Sequence, residues 1–333
     1  MPATGPTDPH RHGGCRTGPR PPAAVAVRPF VTERLARSPD VVALLDALSR
    51  DAFLADLQTL AAHHTRRSDS AGFDEAATWA GAELSSTGYR VSTRPVPRGG
   101  GSCRNVIADR PGTGSEPRDV VLVTAHLDSI NLSESSESPP GSADAQGGSL
   151  STLPAADEPA PGADDNGSGS AGLLALARAL AGYGAASDLR FILFGGEEEG
   201  LFGSLQYVAE LPDAERARIR AVLNMDMIGG RNTPEPGVLL EGGEVSRPVI
   251  DGLARAAATY TGLAITTSLH PYNSDHVPFI DAGIPAVLTI EADDSANARP
   301  HTAADTVASV DLALAMEILR MNLAYLAESL SRE

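Results

Sequence analysis

The chain has 333 residues, of which 42% are hydrophobic and 21% are charged, a composition typical of a globular protein that buries a core. All 26 basic residues are arginines, and the absence of lysine excludes a P-loop lysine, a lysine Schiff base and a Ser-Lys dyad. A net charge of −17 argues against nucleic acid or an anionic membrane as the main partner, because those partners bind clustered positive charge.

The first segment, residues 1–38, is rich in Arg, Pro and Gly, and we expect it to be a disordered leader. It contains no apolar run of signal-peptide type, and the whole chain lacks the ~18 to 20 consecutive apolar residues that span a bilayer. We therefore expect a cytoplasmic protein, or a secreted one if the start codon is misassigned. The two cysteines, Cys15 and Cys103, match no zinc-finger spacing, and two unpaired thiols are favoured over a disulfide.

Apolar residues at helical spacing predict two helices at the start of the folded part, over 39–64 and 70–87. Predicted strands and helices then follow one another along the chain. The strands are 89–96, 105–108, 120–125, 189–194, 221–226, 237–240, 264–267 and 285–290, and the helices are 169–181, 200–210, 248–260 and 310–330. The continuous apolar strands indicate a sheet that helices cover on both faces, so we expect one α/β domain over residues 39–333.

One interval interrupts this order. Residues 131–161 are rich in Ser, Pro, Gly and Ala and contain no aromatic residue, which is the composition of a long loop. They lie within residues 119–177, a stretch that holds nine acidic residues and no basic residue. We therefore predict an acidic loop insert at 131–161.

Polar residues follow several predicted strands. His126 and Asp128 come directly after the strand 120–125, where the carboxyl ends of strands in an open α/β sheet form the ligand crevice. A carboxylate can hold an imidazole in one tautomer while the other ring nitrogen binds a metal. Taken alone, this pair is also compatible with a surface histidine.

Two neighbouring acids, Asp164 and Asp165, lie in the segment PGADDNGSG before the helix 169–181. They could be the acidic N-terminus of that helix, with Ser168 as its cap. Alternatively, a turn flanked by glycines aims one carboxylate into the crevice. The sequence alone leaves both interpretations open.

Three adjacent glutamates, Glu197, Glu198 and Glu199, follow the apolar strand 189–194. A solvated surface turn is one interpretation. Buried like charges, however, need a cation or a proton between them. One glutamate could then bind a metal while its neighbour acts as general base on a water bound to that metal.

Two further residues complete the pattern. Asp226 lies among apolar residues at the end of a strand, and His301 precedes the last helix, with Asp305 as its partner or as a helix cap. Singly, each of these residues is compatible with a structural role, but together two histidines and three carboxylates from five segments indicate a metal site. Mixed imidazole and carboxylate ligands suit Zn²⁺, with Co²⁺ or Mn²⁺ as substitutes, and a shared carboxylate would give two ions ~3.5 to 4 Å apart.

The order of these motifs resembles the di-zinc aminopeptidases of clan MH, of the bacterial and fungal leucyl aminopeptidase type. The matching motifs are His-x-Asp, PGADDNGSG, FGGEEEGLFGS, NMDMIG, SDHVPF and PHTAADT, and the resemblance extends from residue 105 to the C-terminus. It implies a three-layer α/β/α zinc-exopeptidase fold, similar to phosphorylase/hydrolase-like proteins, with a mixed, mostly parallel central sheet. It also implies that residues 39–333 form a single di-zinc peptidase domain.

The resemblance also implies a role for each motif residue. Asp165 would bridge two Zn²⁺ ions and precede a cis peptide bond. His126 and Asp226 would complete the ligands of one ion, and Glu198 and His301 those of the other.

The same resemblance implies the groups that act on the substrate. Glu197 would be the general base, Asp128 would orient His126, and Tyr272 is the nearest candidate for the tyrosine that polarises the scissile carbonyl. Asp275 and His276 would be scaffold residues. Three histidines without a motif are expected at the surface: His63, His64 and His270.

We therefore expect a zinc-dependent aminopeptidase that releases N-terminal residues from peptides with a free N-terminus, through a metal-bridging hydroxide and a Glu general base. One alternative is a glutaminyl cyclase-like enzyme of the same fold with a single zinc. The other is a peptidase-like domain without catalysis that serves binding. The complete set of five ligands and a base argues against both alternatives.

Overall fold

Eight strands form one mixed sheet in the described part of the chain. They are β1 (Arg90–Arg98), β2 (Gly101–Arg110), β3 (Val120–His126), β4 (Asp188–Phe194), β5 (Ile219–Met225), β6 (Gly237–Gly242), β7 (Ala264–Ser268) and β8 (Ala286–Glu291). Their order across the sheet is β1-β2-β4-β3-β5-β8-β6-β7. The neighbours β4, β3, β5 and β8 run parallel, as do β6 and β7, whereas the β1/β2, β2/β4 and β6/β8 pairs are antiparallel. The predicted mixed, mostly parallel sheet is confirmed.

The computed structural model describes residues 34–98, 101–132 and 158–331. Most of the predicted leader, with Cys15, lies outside these described residues, and so does most of the predicted acidic insert. The second cysteine, Cys103, is buried. No helix of the described ranges is both long and apolar enough to cross a bilayer.

Helices cover both faces of the sheet. They are α1 (Pro39–Leu45), α2 (Arg50–Ala61), α3 (Ala71–Ser86), α4 (Gly169–Leu180), α5 (Phe202–Ala209), α6 (Asp213–Arg216), α7 (Arg247–Tyr260), α8 (His276–Asp281) and α9 (Leu312–Leu330). The prediction of one helix over 39–64 was wrong. The side chain of Ser49 accepts a hydrogen bond from the backbone N–H of Ala52 and begins a second helix there. The short helices α6 and α8 were not predicted.

The strands face two hydrophobic cores because successive side chains of a strand point to opposite faces. In β3, Val121 and Val123 pack into the larger core, with residues of α1 to α4, α7 and α9. The alternate residues Val120 and Leu122 pack into the smaller core, with residues of α5 and α8. The three α/β/α layers expected from the sequence are therefore present.

The register of the four central strands positions the site. His126 in β3 pairs with Phe194 in β4, and Met225 in β5 pairs with Thr289 in β8. Because these strands are parallel, their carboxyl ends lie at one edge of the sheet, and the segments that follow them meet there.

The larger core can be tested at Leu223, which lies in β5 and has 0% exposure. We expect Leu223→Ala to lower the free energy of unfolding by about 2 to 5 kcal/mol, because it removes buried methyl groups and leaves a cavity. The matched control is Leu205→Ala in α5, where the leucine is 42% exposed, and the expected change is within about 0.5 kcal/mol. Urea denaturation measures both values, and equal losses in the two variants would contradict this placement.

Candidate metal centre

Six predicted side chains come together at the carboxyl edge of the parallel strands. His126 is the last residue of β3, Asp226 directly follows β5, and the two glutamates follow β4 after Gly195 and Gly196. Asp165 lies in the short helical turn Ala163–Ser168 that leads into α4, and His301 lies in the loop before α9. The cluster comprises His126, Asp165, Glu197, Glu198, Asp226 and His301.

Asp165 lies between the two histidines. Its Oδ1 is 3.3 Å from Nε2 of His126, and its Oδ2 is 3.1 Å from Nε2 of His301. Nε2 of His126 is also 3.3 Å from Oδ1 of Asp226, and Nε2 of His301 is 2.9 Å from Oε2 of Glu198. One carboxylate oxygen thus faces each histidine, which is the arrangement that a carboxylate shared by two metal ions requires.

The ligand atoms are close enough to hold cations. One atom from each of His126, Asp165 and Glu198 lies within 4.8 Å of the others, and the same holds for His126, Glu197 and Asp226. All these residues are buried, and His126 is 1% exposed. The interpretations of His126 as a surface histidine and of the glutamates as a solvated turn are therefore wrong.

The electrostatics of the cluster call for positive charge. Burial, together with neighbouring carboxylates, raises the pKa of both Glu197 and Glu198. Burial alone would lower the pKa of His126, but the carboxylates of Glu197 and Asp226 raise it well above its usual value. Two divalent cations would balance the four carboxylates of the cluster when both imidazoles are neutral. The donor set therefore fits two metal ions.

Asp165 differs from its neighbours. Burial would raise the pKa of its carboxyl group, but the hydrogen bonds from His126 and His301 outweigh burial and lower it. The carboxylate therefore stays ionised, as a bridging ligand must. The peptide bond between Asp165 and Asn166 is cis, as the resemblance implied.

Asp128 contacts the glutamate turn as well as His126. Nδ1 of His126 lies 3.2 Å from the carbonyl oxygen of Asp128 and 3.8 Å from its Oδ1. The carboxylate accepts hydrogen bonds from the backbone N–H groups of Gly196 at 3.0 Å, Glu197 at 3.2 Å and Glu198 at 3.1 Å. Sequence reasoning missed this second set of contacts, through which Asp128 holds the backbone of the turn.

Asp305 holds the backbone around Asp165. It was expected to partner His301 or to cap a helix, but its two carboxylate oxygens accept hydrogen bonds from the N–H groups of Asp164 at 2.8 Å and Asp165 at 2.9 Å. Burial raises the pKa of Asp305 to about 7. The fully buried carboxyl group thus positions the segment that carries Asp165.

Asp164 belongs to a second acidic pair that sequence reasoning missed. Its Oδ1 accepts hydrogen bonds from the N–H of Gly229 at 2.8 Å and from Oγ of Ser168 at 3.0 Å. Burial and the neighbouring carboxylate of Asp164 raise the pKa of Glu291 to about 10. Glu291 ends the apolar strand β8, a position like those of the predicted ligands, and that position was the available signal.

The loop before α8 carries the remaining candidates. Oγ of Ser274 donates to Oδ2 of Asp226 at 2.7 Å, and the backbone N–H of Tyr272 donates to Oε1 of Glu241 at 2.8 Å. Tyr272 lies two residues before Ser274, which contacts Asp226 of the cluster. The role of the Tyr272 hydroxyl group stays a prediction. Nε2 of His276, which is fully buried, lies 3.5 Å from Oε1 of Glu241.

The three histidines expected at the surface lie outside the cluster. His64 and His270 are exposed. His63 is half-buried, and its Nδ1 lies 3.6 Å from Oε2 of Glu75.

Comparison with known proteins identifies relatives of this chain. The profile of peptidase family M28 matches residues 105–326. Leupeptin-inactivating enzyme 1 from Streptomyces exfoliatus is 33% identical over 70% of this chain and 47% of its own length. Aminopeptidase YwaD from Bacillus subtilis is 30% identical over 61% of this chain and 40% of its own length. The chain thus spans less than half the length of these two relatives.

Three solved structures share the fold. The LapA aminopeptidase of Legionella pneumophila has a TM-score of 0.72 and 21% identity, and the match covers 91% of this chain and 78% of that protein. A zinc aminopeptidase from Bacillus subtilis has a TM-score of 0.69 and 18% identity over 86% and 96% of the two chains. A glutaminyl cyclase from Porphyromonas gingivalis has a TM-score of 0.65 and 22% identity over 85% and 99%.

The pair of Asp164 and Glu291 makes the stability of the metal-free protein depend on pH. The pKa of Glu291 is about 10 in the folded chain against an ordinary 4.5, so between these values the folded state holds one proton more than the unfolded state. Stability from this group therefore falls as pH rises, by about 1.4 kcal/mol per pH unit. We expect Glu291→Gln to remove this slope.

Urea denaturation at several pH values between about 6 and 9 measures the slope in both proteins. Glu244→Gln is the control, because Glu244 is exposed and an ion pair with Arg247 lowers its pKa. Wild-type and Glu291→Gln stability curves that run parallel over this range would contradict the raised pKa of Glu291.

Proposed function

Because the chain belongs to peptidase family M28, of the zinc peptidase clan MH, we propose that it is an aminopeptidase with two zinc ions. The observation that carries this proposal is the position of Asp165, with one carboxylate oxygen toward His126 and the other toward His301. The relative named an aminopeptidase and the zinc aminopeptidase of the same fold support it. The substrates are peptides with a free N-terminus.

The residues of the cluster divide into two ligand sets that share Asp165. His126 and Asp226 would hold one ion, and Glu198 and His301 would hold the other, since each pair lies within 3.3 Å. Imidazole nitrogen and carboxylate oxygen suit Zn²⁺, and Co²⁺ or Mn²⁺ are the expected substitutes. Zinc bound there would supply Lewis acidity toward the scissile carbonyl and would lower the pKa of water.

Glu197 is the general base of the proposed reaction. Its Oε2 lies 3.9 Å from Nε2 of His126, and in the proposed division of ligands Glu197 belongs to neither set. Burial raises the pKa of Glu197, which favours proton uptake by its carboxylate. Glu197 takes a proton from the attacking water and donates it to the leaving amine. Asp128 positions Glu197 through its hydrogen bond to the backbone N–H of that residue.

Carboxylates of the cluster would also bind the α-amino group of the substrate. A free α-amino group is cationic in water, and the cluster offers it carboxylate partners. This preference would restrict cleavage to the N-terminal residue. Tyr272 is the proposed donor to the scissile carbonyl, because its loop is anchored beside Asp226 through Ser274.

Two other functions fit parts of the site. A glutaminyl cyclase shares the fold, and a cyclase-like enzyme with a single zinc would not need Asp165 to face two histidines. A binding domain without catalysis would not need Glu197 beside the ligands. The complete set of residues favours the aminopeptidase.

We expect Glu197→Gln to lower kcat by about 10² to 10⁴-fold, because the amide cannot accept the proton of the attacking water. Zinc content should stay at the wild-type value, since Glu197 belongs to neither ligand set. The measurements are hydrolysis of an aminoacyl anilide and metal analysis of the same sample. The control is Glu210→Gln at the exposed end of α5, and near wild-type turnover by the Glu197 variant would refute the assignment.

Native mass spectrometry should find two zinc ions per chain, and a chelator should abolish hydrolysis until zinc is restored. One zinc, with cyclisation of N-terminal glutamine, would instead identify the cyclase-like enzyme. Two zinc ions without hydrolysis of any aminoacyl anilide would identify a binding domain.

A further inference from the structure

The loop between α2 and α3, residues 62–70, carries a fully buried arginine. The guanidinium group of Arg66 donates hydrogen bonds to four backbone carbonyl groups. The acceptors are Leu127 (from Nε at 2.9 Å), Leu60 (from Nη1 at 3.0 Å), Pro161 (from Nη1 at 2.6 Å) and Gly162 (from Nη2 at 2.9 Å). A single side chain thus joins three separate segments of backbone.

Two of these segments carry proposed metal ligands. Leu127 directly follows His126, and Gly162 lies three residues before Asp165. The guanidinium group therefore bridges the segment of His126 and the segment of Asp165, whose side chains approach to 3.3 Å at the cluster. Its planar, rigid set of donors fixes both segments at once.

The packing beside the guanidinium group is tight. Gly162 has a φ of 49°, in the left-handed region that favours glycine. A Cβ atom built at this glycine would lie 2.5 Å from Cβ of Ser129 and 3.2 Å from Nη2 of Arg66. The segment that leads to Asp165 therefore packs closely against both Ser129 and Arg66.

Further contacts of the same loop strengthen this junction. The backbone N–H of Arg66 donates to Oγ of Ser129 at 3.2 Å, and that hydroxyl group donates to the carbonyl of Ala160 at 2.8 Å. Oγ of Ser68 donates to Oε1 of Glu199 at 2.5 Å, beside the proposed ligand Glu198. The loop 62–70 thus contacts all three segments that supply His126, Asp165 and Glu198.

The charge of Arg66 also suits this position. Among the described residues, Arg66 is the one arginine that is buried, whereas buried acids are numerous around the cluster. Burial lowers the pKa of Arg66 to about 10, and the carboxylates of Asp305, Asp128, Asp165 and Glu198 oppose that shift. The group therefore stays charged at neutral pH. Removing a charged group from water costs free energy, and general packing would not require a charged side chain here.

We propose that Arg66 is a positioning residue for the two-metal site, which sets the separation between the His126 segment and the Asp165 segment. This inference rests on the proposed function, since it assumes that metal ions bind between those segments. Arg66 lies before residues 105–326, the part that matches the peptidase family profile. The loop 62–70 would therefore contribute to the site from outside that part of the chain.

The test compares Arg66→Lys with Arg67→Lys. A lysine keeps the charge but cannot reach four carbonyl groups in the geometry of a guanidinium group. Arg67 is the matched control, because it is the next residue and forms an ion pair with Asp69 at 2.6 Å. Zinc dissociation constants are measured without substrate, by competition with a chromophoric chelator, and urea denaturation reports the folded fraction.

We expect Arg66→Lys to weaken zinc binding by at least about tenfold and to lower kcat by a similar factor, with KM changed less than about threefold. Arg67→Lys should match the wild type in all three values. A merely structural role predicts a lower urea midpoint with wild-type zinc affinity in the folded protein, and that result would overturn the proposal.

If Arg66→Lys does not fold, Ser129→Ala decides. Oγ of Ser129 anchors the backbone N–H of Arg66 to the carbonyl of Ala160, so this variant keeps the arginine but loosens the placement of its guanidinium group. Zinc binding about two- to fivefold weaker supports the proposal, and unchanged zinc binding overturns it.

The wild-type chain separates failure of this inference from failure of the proposed function. A wild type that binds two zinc ions and hydrolyses the anilide, with unchanged zinc binding in the Arg66 and Ser129 variants, overturns the role of Arg66 alone. A wild type that binds zinc without hydrolysis overturns the aminopeptidase, while the zinc constants still test Arg66. A wild type that binds no zinc overturns both.

Discussion

Repulsion among four buried carboxylates is the constraint on which the architecture of the site depends. Asp165, Glu197, Glu198 and Asp226 share one small volume with two histidines. Like charges about 4 Å apart repel by several kcal/mol where water is excluded, so such a cluster persists only with protons or cations among its members. The raised pKa values of Glu197, Glu198 and His126 express this demand for positive charge.

A second group of acids holds the backbone that presents these carboxylates. The carboxylate of Asp128 accepts hydrogen bonds from three backbone N–H groups of the turn Gly196–Glu198. The carboxylate of Asp305 accepts hydrogen bonds from the backbone N–H groups of Asp164 and Asp165. Each carboxyl group offers two acceptor oxygens, so one short acidic side chain can hold two or more backbone N–H groups of a turn. The inner carboxylates are thereby left to face the cations. Arg66 acts from the opposite direction, since it donates to the carbonyl groups of the same segments.

The separation of the inner carboxylates from the acids that hold the backbone affects how the net charge of −17 is interpreted. Two Zn²⁺ ions, as proposed, would neutralise four of the acids at the centre, so the site would be far less negative than the composition suggests. Chemistry that relies on lysine is excluded, and in the proposed enzyme bound metal would supply the positive charge instead. Where the fold needs a buried positive charge of its own, it uses a guanidinium group, whose several donors in one plane suit a cluster of carbonyl oxygens.

The sequence by itself determined the fold class and the six residues of the cluster. Apolar strands indicated a covered sheet, and polar residues directly after those strands had to meet at one edge, because parallel strands end on the same side. Tertiary structure alone decided which groups hold that cluster in place. Asp305 contacts Asp164 across 141 positions of the chain, and Arg66 contacts Gly162 across 96. Such contacts leave no local pattern, because a buried carboxyl or guanidinium group reads in sequence like any exposed one. Their partners are backbone groups that every residue carries, so only the folded chain shows which of them are near.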